Sequence, residues 1–256
     1  MILYRLKENE LSETKLIGSR CKSAEADIKH LIDIIFGDNY SNKRINFDFF
    51  DVKGTVLLHG FAGVGKTTIA KNCMYYALDK YGVESYSMNV SDIIVSGLGE
   101  SVKNLFDALA EFSELKEGIL FIDEIDKLFI NRESLDELSE LKRLLIQFMS
   151  YVDCLSTDKK KILIGCTNVY NQIDTALKRR FSINEEILVP TDDEKNVFFT
   201  ICINEVGMDL FGIKLCKEYL EKFKTMDSIK ALFRKHILND SLNDLKIELN
   251  NHRYNS

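Results

Sequence analysis

The chain has 256 residues, 45% of them hydrophobic and 29% charged, with a net charge of −6. That length holds one large domain or a domain with a small satellite, and the composition is that of a globular protein with a sizeable core. The acidic balance removes any bulk attraction to nucleic acid or anionic membrane, though a local basic groove stays compatible with it. No apolar run reaches membrane-spanning length and the N-terminus lacks a signal-type apolar stretch, so a soluble, cytoplasmic protein is expected.

Residues 1–16 are short, mixed and charged, and read as an arm or a strand. Apolar residues at helical spacing predict a helix over Ala24–Ile35, with Ser23 as its cap. Gly37–Lys43 is a turn-rich connection. Gly54–His59 reads as a buried strand, followed by a glycine loop and a helix running to about Tyr81. Ser85–Val90 alternates weakly and predicts a second strand; Ser91–Ile94 starts a short helix, and Glu100–Phe112 is helical. Gly118–Ile122 is an unbroken apolar run, as in a parallel strand buried on both faces. Leu135–Leu155 is a long amphipathic helix. Lys159-Lys160-Lys161 reads as a solvated basic loop. Ile162–Thr167 is another buried strand, and Glu186–Val189 a last one, closed by Pro190. Strand character then disappears: Glu194–Val206, Ile213–Phe223 and Met226–Leu238 read as helices, and Asn239–Ser256 as a polar, fraying end. The six cysteines form no C-x-x-C pair and no partner set with histidine, so they predict reduced thiols and no structural zinc.

Four stretches carry chemistry. His59 to Thr68 fits G-x-x-x-x-G-K-[ST], the phosphate-binding loop. Gly60, Gly63 and Gly65 let the backbone turn its N–H groups onto phosphate oxygens. Lys66 supplies a cation for the β- and γ-phosphates, and Thr67 a hydroxyl for Mg²⁺. The helix that follows points its positive end at the same anion. The apolar run at 118–122 ends in Asp123, Glu124 and Asp126. Burying unpaired carboxylates is costly, so they belong at the strand's carboxyl end, where open α/β sheets bind ligands. Asp123 is placed to hold Mg²⁺ through water, and Glu124 to orient and deprotonate an attacking water. Asp126 is a helix cap or a chemical group. Asn168 ends the next buried strand at the same edge, where a neutral amide can hold that water. Arg179 and Arg180 end a short helical segment; always protonated and forked, they suit a developing negative charge.

With those residues laid out, the chain resembles an AAA-family ATPase of the wider AAA+ class over Ile17 to about Leu238. The motifs are Walker A (Gly60–Thr67), Walker B (Ile119–Glu124), a sensor-1 strand ending at Asn168, and an arginine-finger segment, Asp174–Phe181. The wording Ala-Leu-Lys-Arg-Arg-Phe is most similar to the katanin and spastin branch. The resemblance implies a P-loop NTPase αβα sandwich with a five-stranded parallel sheet of order 5-1-4-3-2 and a small C-terminal helical lid, with ATP between them. It implies a short arm over 1–16, an ATPase core over 17–191, and a lid and tail over 192–256. Ile17 and Gly18 match the adenine-side segment; Phe61, Ala62, Val64 and Thr68 complete the loop around ATP; Thr67 and Asp123 serve Mg²⁺. A homo-hexameric ring is implied, in which Arg179 and Arg180 reach a neighbour's γ-phosphate. The implied activity is ATP hydrolysis that remodels a protein partner. A DNA-associated clamp-loader or helicase-loader ATPase and a nucleotide-gated scaffold are the alternatives.

Three departures bear on that expectation. Gly97 stands where the family's pore loop usually carries an aromatic, leaving Leu98 as the apolar contact and weakening the case for peptide threading. No sensor-2 arginine is evident in Met226–Leu232. No N-terminal adaptor domain is expected.

Overall fold

The structure, a computed structural model, describes residues 2–37, 45–94, 99–129, 135–155, 160–210 and 212–254. Strand β1 (Leu3–Arg5) and helix α1 (Ser19–Phe36) are followed by β2 (Thr55–His59), α2 (Lys66–Tyr81), β3 (Ser85–Met88), α3 (Val90–Ile93) and α4 (Glu100–Glu114). Next come β4 (Gly118–Ile122), α5 (Leu135–Asp153), β5 (Lys161–Thr167), α6 (Thr175–Lys178) and β6 (Ile183–Glu186). The chain ends in α7 (Asp192–Glu205), α8 (Lys217–Leu220), α9 (Met226–Leu238) and α10 (Leu242–Asn251).

The sheet runs β1-β3-β4-β5-β2-β6. All neighbours are parallel except β1, which lies antiparallel to β3. The parallel strands therefore stand in the expected 5-1-4-3-2 order, and the N-terminal arm adds a sixth strand at the β3 edge. Tyr4 Oη donates to Asp92 Oδ2 at 2.6 Å and Arg5 pairs with Glu84, which secures that short strand. Strands β4 and β5 are buried along their whole length, as their unbroken apolar runs require. Because the register sets His59 opposite Thr167 and Ile122 opposite Gly165, the residues that follow these strands emerge at one edge.

The chain divides into two compact units. The first comprises residues 1–14, 23–60 and 66–186. Its core joins Leu57, Leu120 and Leu163 of the sheet to Leu105 and Phe112 of α4 and Phe148 of α5. On α1, Asp33 Oδ1 accepts from Tyr76, Lys80 and Tyr81, fastening α1 to α2. The second comprises residues 15–22, 61–65 and 187–256. Its core is aromatic, with Phe199, Tyr219, Phe223 and Phe233 packed with Leu245 and Leu249. A capping box starts α7: Thr191 Oγ1 accepts from the Glu194 amide, and Glu194 accepts from the Thr191 amide.

Several boundaries differ from the sequence reading. Helix α1 begins at Ser19 and runs through Ser23, which is interior to it. Strand β6 is Ile183–Glu186, not Glu186–Val189. The ladder that pairs Val56 with Ile183 and His59 with Glu186 fixes it there, and Leu188 and Val189 are 49% and 47% exposed. Lys161 is not solvated: it opens β5, is buried, and donates from Nζ to the Ser113 carbonyl at 2.8 Å. The stretch 213–223 has only α8 as regular helix. The polar end is ordered as α10, since Leu245 and Leu249 dock in the second core.

Candidate active site

The phosphate-type loop links the half-buried end of β2, at His59, to the start of α2. Gly60, Gly63 and Gly65 take φ of 141°, 77° and 107°, which side-chain-bearing residues adopt only at a cost. Lys66 opens α2 with its side chain largely buried. Its Nζ donates to the Gly60 carbonyl at 2.9 Å and to Asn168 Oδ1 at 2.7 Å. Burial pushes the ammonium below the ordinary lysine range, while Asp123 and Asp126 pull the other way. Asn168 thus arrives from the tip of β5 beside the loop's lysine.

Thr67, the next residue of α2, donates from Oγ1 to Asp123 Oδ2 at 3.0 Å. The other carboxylate oxygen, Oδ1, accepts the Glu124 amide at 3.0 Å. Glu124 has left-handed backbone angles, φ 51° and ψ 46°, unusual for a side-chain-bearing residue and a common mark of functional strain. Its carboxylate pairs with Lys127 one turn on. Both Asp123 and Glu124 line an open recess of about 220 Å³ with Asn89 and Ser91 from beyond the end of β3, and Lys127. Asn89 and Ser91 did not stand out in the sequence. Only the parallel pairing of β3 with β4 brings them here.

Asp126 has a defined part. It is buried in the 3₁₀ turn Ile125–Leu128 and accepts from Thr167 Oγ1 at 2.6 Å; Thr167 Oγ1 in turn accepts the Val169 amide at 3.1 Å. This chain of bonds ties the tip of β4, next to Glu124, to the tip of β5, next to Asn168.

A second contact lies on the other flank of the loop. His59, the last residue of β2, stacks on Tyr170 with ring centroids 3.8 Å apart and planes 14° from parallel. Lys178 Nζ lies over the same Tyr170 ring at 4.2 Å, and Asn184 Nδ2 donates to its hydroxyl at 2.8 Å. Burial, with Lys178 and Lys66 nearby, lowers the His59 pKa against the opposing pull of Glu186. Helix α6 leads directly into the two arginines, which differ sharply. Arg180 Nε donates to both oxygens of Asp153 at 3.0 Å, and Nη1 to the Ala176 carbonyl at 2.7 Å. Arg179 is exposed and has no ion pair among the described residues.

In the second unit, Ile17 is half-buried and Gly18 has φ +99° just ahead of α1. A Cβ on Gly18 would meet Glu194 Oε1 at 2.9 Å. Phe61 and Ala62 are exposed, Val64 is buried with its carbonyl near Cys21 Sγ, and a Cβ on Gly63 would meet Thr225 and Asp227. Thr68 is half-buried in the first turn of α2, in the first unit. The Gly97 and Leu98 positions of the pore-loop reading lie outside the described residues.

Among the described residues, no group of three or more His, Cys, Asp or Glu side chains could hold a metal. The Thr67 hydroxyl and Asp123 carboxylate still fit Mg²⁺, which takes few protein oxygens and fills its shell with water and phosphate. Also among the described residues, no helix is long and apolar enough to cross a membrane.

Comparisons with known proteins show the family and the fold. The family described as "ATPase family associated with various cellular activities (AAA)" matches residues 56–189. Fidgetin-like protein 1 of Drosophila melanogaster is 29% identical over 157 residues, 60% of this chain and 29% of that protein. The first four curated relatives are 26–36% identical, and the chain spans between 11% and 50% of their length. An E. coli MS115-1 HORMA:CdnC:Trip13 complex contains a chain of similar fold, with TM-score 0.61 and 16% identity over 76% of this chain and 70% of that one. The FIGL-1 AAA domain in complex with ADP gives 0.57 and 19%, over 80% and 64%.

Proposed function

The chain belongs to the AAA family of ATPases, and from that premise we propose a magnesium-dependent ATPase of the katanin- and spastin-like branch that works as a homo-hexameric ring on a protein partner. The observation that carries the proposal is the pairing of Asn168 with Lys66 and of Asp123 with Thr67 at the start of α2, at 2.7 and 3.0 Å. The ADP complex of a similar AAA domain supports a nucleotide as the ligand. The HORMA:CdnC:Trip13 complex that contains a chain of similar fold supports a protein as the partner class. Six free cysteines suit a reducing compartment, and we place the activity in the cytoplasm.

In this reading the amides of Gly60–Gly65 and the Lys66 ammonium bind the β- and γ-phosphates. Ile17 and Gly18 border the adenine, with Phe61, Ala62, Val64 and Thr68 completing the cradle. Thr67 and Asp123 hold Mg²⁺, which when bound neutralises charge on the phosphate oxygens. Glu124 takes the proton of the attacking water at its carboxylate, once that carboxylate is released from Lys127. Asn168 leaves Lys66 and orients the same water. Arg179 reaches the γ-phosphate held by a neighbouring subunit, and Arg180, anchored on Asp153, holds the finger segment. Such a finger contributes about 10³–10⁵ in rate, so a lone subunit is a poor catalyst.

The test is a pair of variants followed by ATP binding and phosphate release. Lys66→Ala abolishes nucleotide binding. Glu124→Gln binds ATP and does not turn it over. Undiminished turnover by Glu124→Gln refutes the base assignment, and ATP binding by Lys66→Ala at wild-type affinity refutes the site.

A further inference from the structure

The strap that leads from the tip of β5 to the arginines is pinned to both flanks of the phosphate loop. On the α2 side Asn168 accepts from Lys66 at 2.7 Å. On the β2 side Tyr170 stacks on His59 at 3.8 Å. The same ring then receives Lys178 at 4.2 Å, and Lys178 is the last residue of α6, adjacent to Arg179. Helix α6 is otherwise set by Asp174, which caps the Ala176 and Leu177 amides, and by the fully buried Leu177. Tyr170 itself is held at its hydroxyl by Asn184 of β6, the strand next to β2. One phenol ring therefore links the end of β2, the β6 edge and the helix that presents Arg179.

We propose that Tyr170 is a positioning residue: clamped between His59 and Lys178, it fixes Arg179 relative to its own chain's phosphate loop, so that the finger offered to a neighbour depends on the nucleotide the chain itself holds. The inference rests on the trans-acting arginine read above. Bound phosphates draw the Lys66 ammonium away from Asn168, which frees the strap's attachment on the α2 side. The stack on His59 remains, and with Asn184 on the Tyr170 hydroxyl and the buried Leu177 it keeps the strap in register with β2. An arginine must lie within about an ångström of its productive place, since about 1 Å of misplacement costs roughly 10²-fold in rate.

The experiment mixes two defective chains and measures phosphate release. Glu124→Gln chains retain Arg179 but cannot hydrolyse; Arg179→Ala chains hydrolyse only when a neighbour supplies the finger. Their mixture recovers turnover. With Tyr170→Ala added to the Glu124→Gln chain, the finger donor, recovery falls by roughly 10²-fold while the KM for ATP is unchanged. With Tyr170→Ala added instead to the Arg179→Ala chain, recovery is preserved. Tyr170→Phe in the donor keeps the ring and restores recovery. Lys178→Met in the donor repeats the loss and covers the case in which Tyr170→Ala does not fold. Full recovery with the Tyr170→Ala or Lys178→Met donor overturns the proposal and leaves the trans finger standing, as does equal loss from either chain. A parental mixture that recovers nothing removes the trans finger itself, and the proposal with it.

Discussion

Thr167→Val isolates the bond that joins the tips of β4 and β5. Valine nearly matches threonine in volume, so the change removes one oxygen and little packing. Thr167 is 1% exposed and its partner Asp126 7%. The lost hydrogen bond, 2.6 Å from hydroxyl to carboxylate, is of the charged kind that contributes about 1.5–3 kcal/mol. The Val169 amide, 3.1 Å from the same oxygen, also loses its acceptor; it is half-buried, so its cost lies near the lower end of about 1–3 kcal/mol. Together these predict a loss of about 3 kcal/mol, a large part of the 5–15 kcal/mol or so that holds a domain folded. Urea unfolding reads it as a lower midpoint at unchanged slope. Thr167→Ser keeps the oxygen and loses only a methyl group, about 1 kcal/mol. Because Thr167 precedes Asn168 and Asp126 follows Glu124 by two residues, turnover falls as well, with ATP affinity held by Lys66. A Thr167→Val protein within about 1 kcal/mol of wild type shows that the bond does not tie the tips together.

Two further perturbations probe the flank of the loop and the second unit. The lowered His59 pKa means that the folded protein binds fewer protons there than the unfolded chain does. The stability it contributes is complete above the ordinary histidine value of about 6.5 and declines as pH falls below it. Glu186, Lys178 and Lys66 are the charges acting on this ring. His59→Phe keeps a ring to stack on Tyr170, and its thermal midpoint loses part of the dependence on pH between about 7.5 and 5.5; a slope identical to wild type refutes the assignment. Leu245→Ala empties a fully buried site in the second core and costs about 2–5 kcal/mol, with hydrogen exchange accelerating along α10. Unchanged protection there means that α10 does not depend on its leucine face.

The fold was legible wherever burial is complete. Strand β4 and residues Ile162–Cys166 of β5 are apolar without interruption because a parallel sheet is covered on both faces, and that pattern survives in any sequence that folds this way. Edges were harder to read. Strand β1 has three residues and only Leu3 is buried, so its identity comes from pairing with β3 rather than from its own pattern. For β6, apolar Ile187–Val189 is the tempting choice. The ladder instead uses Ile183–Glu186, because register is a property of the neighbouring strand. In α10 the apolar stripe is Leu242, Leu245 and Leu249 among ten largely polar residues, too thin to outweigh its asparagines. Lys161 misled for a related reason: a lysine can open a buried strand when its ammonium finds a carbonyl, as it does at Ser113.

In the site, the legible residues are those whose chemistry admits few substitutes. A loop that wraps phosphate needs glycines and a lysine, and carboxylates at a strand's end announce themselves by breaking an apolar run. The supporting contacts are different in kind. His59 and Tyr170 meet only because β2 and β5 are paired with His59 opposite Thr167, and nothing local to either residue encodes that. Asp126 looks like Asp123 and Glu124 in sequence; what separates it is burial beneath Thr167, which gives it a structural bond in place of an open face. The same distinction divides the arginines. In sequence Arg179 and Arg180 are interchangeable, two forked cations in a row. In the fold Arg180 has given its guanidinium to Asp153 and the Ala176 carbonyl, so moving it elsewhere would break three hydrogen bonds and leave Asp153 with Lys53 as its ion-pair partner. Arg179, exposed and one residue beyond Lys178, makes no ion pair among the described residues, which is why the proposed finger role falls to it rather than to Arg180.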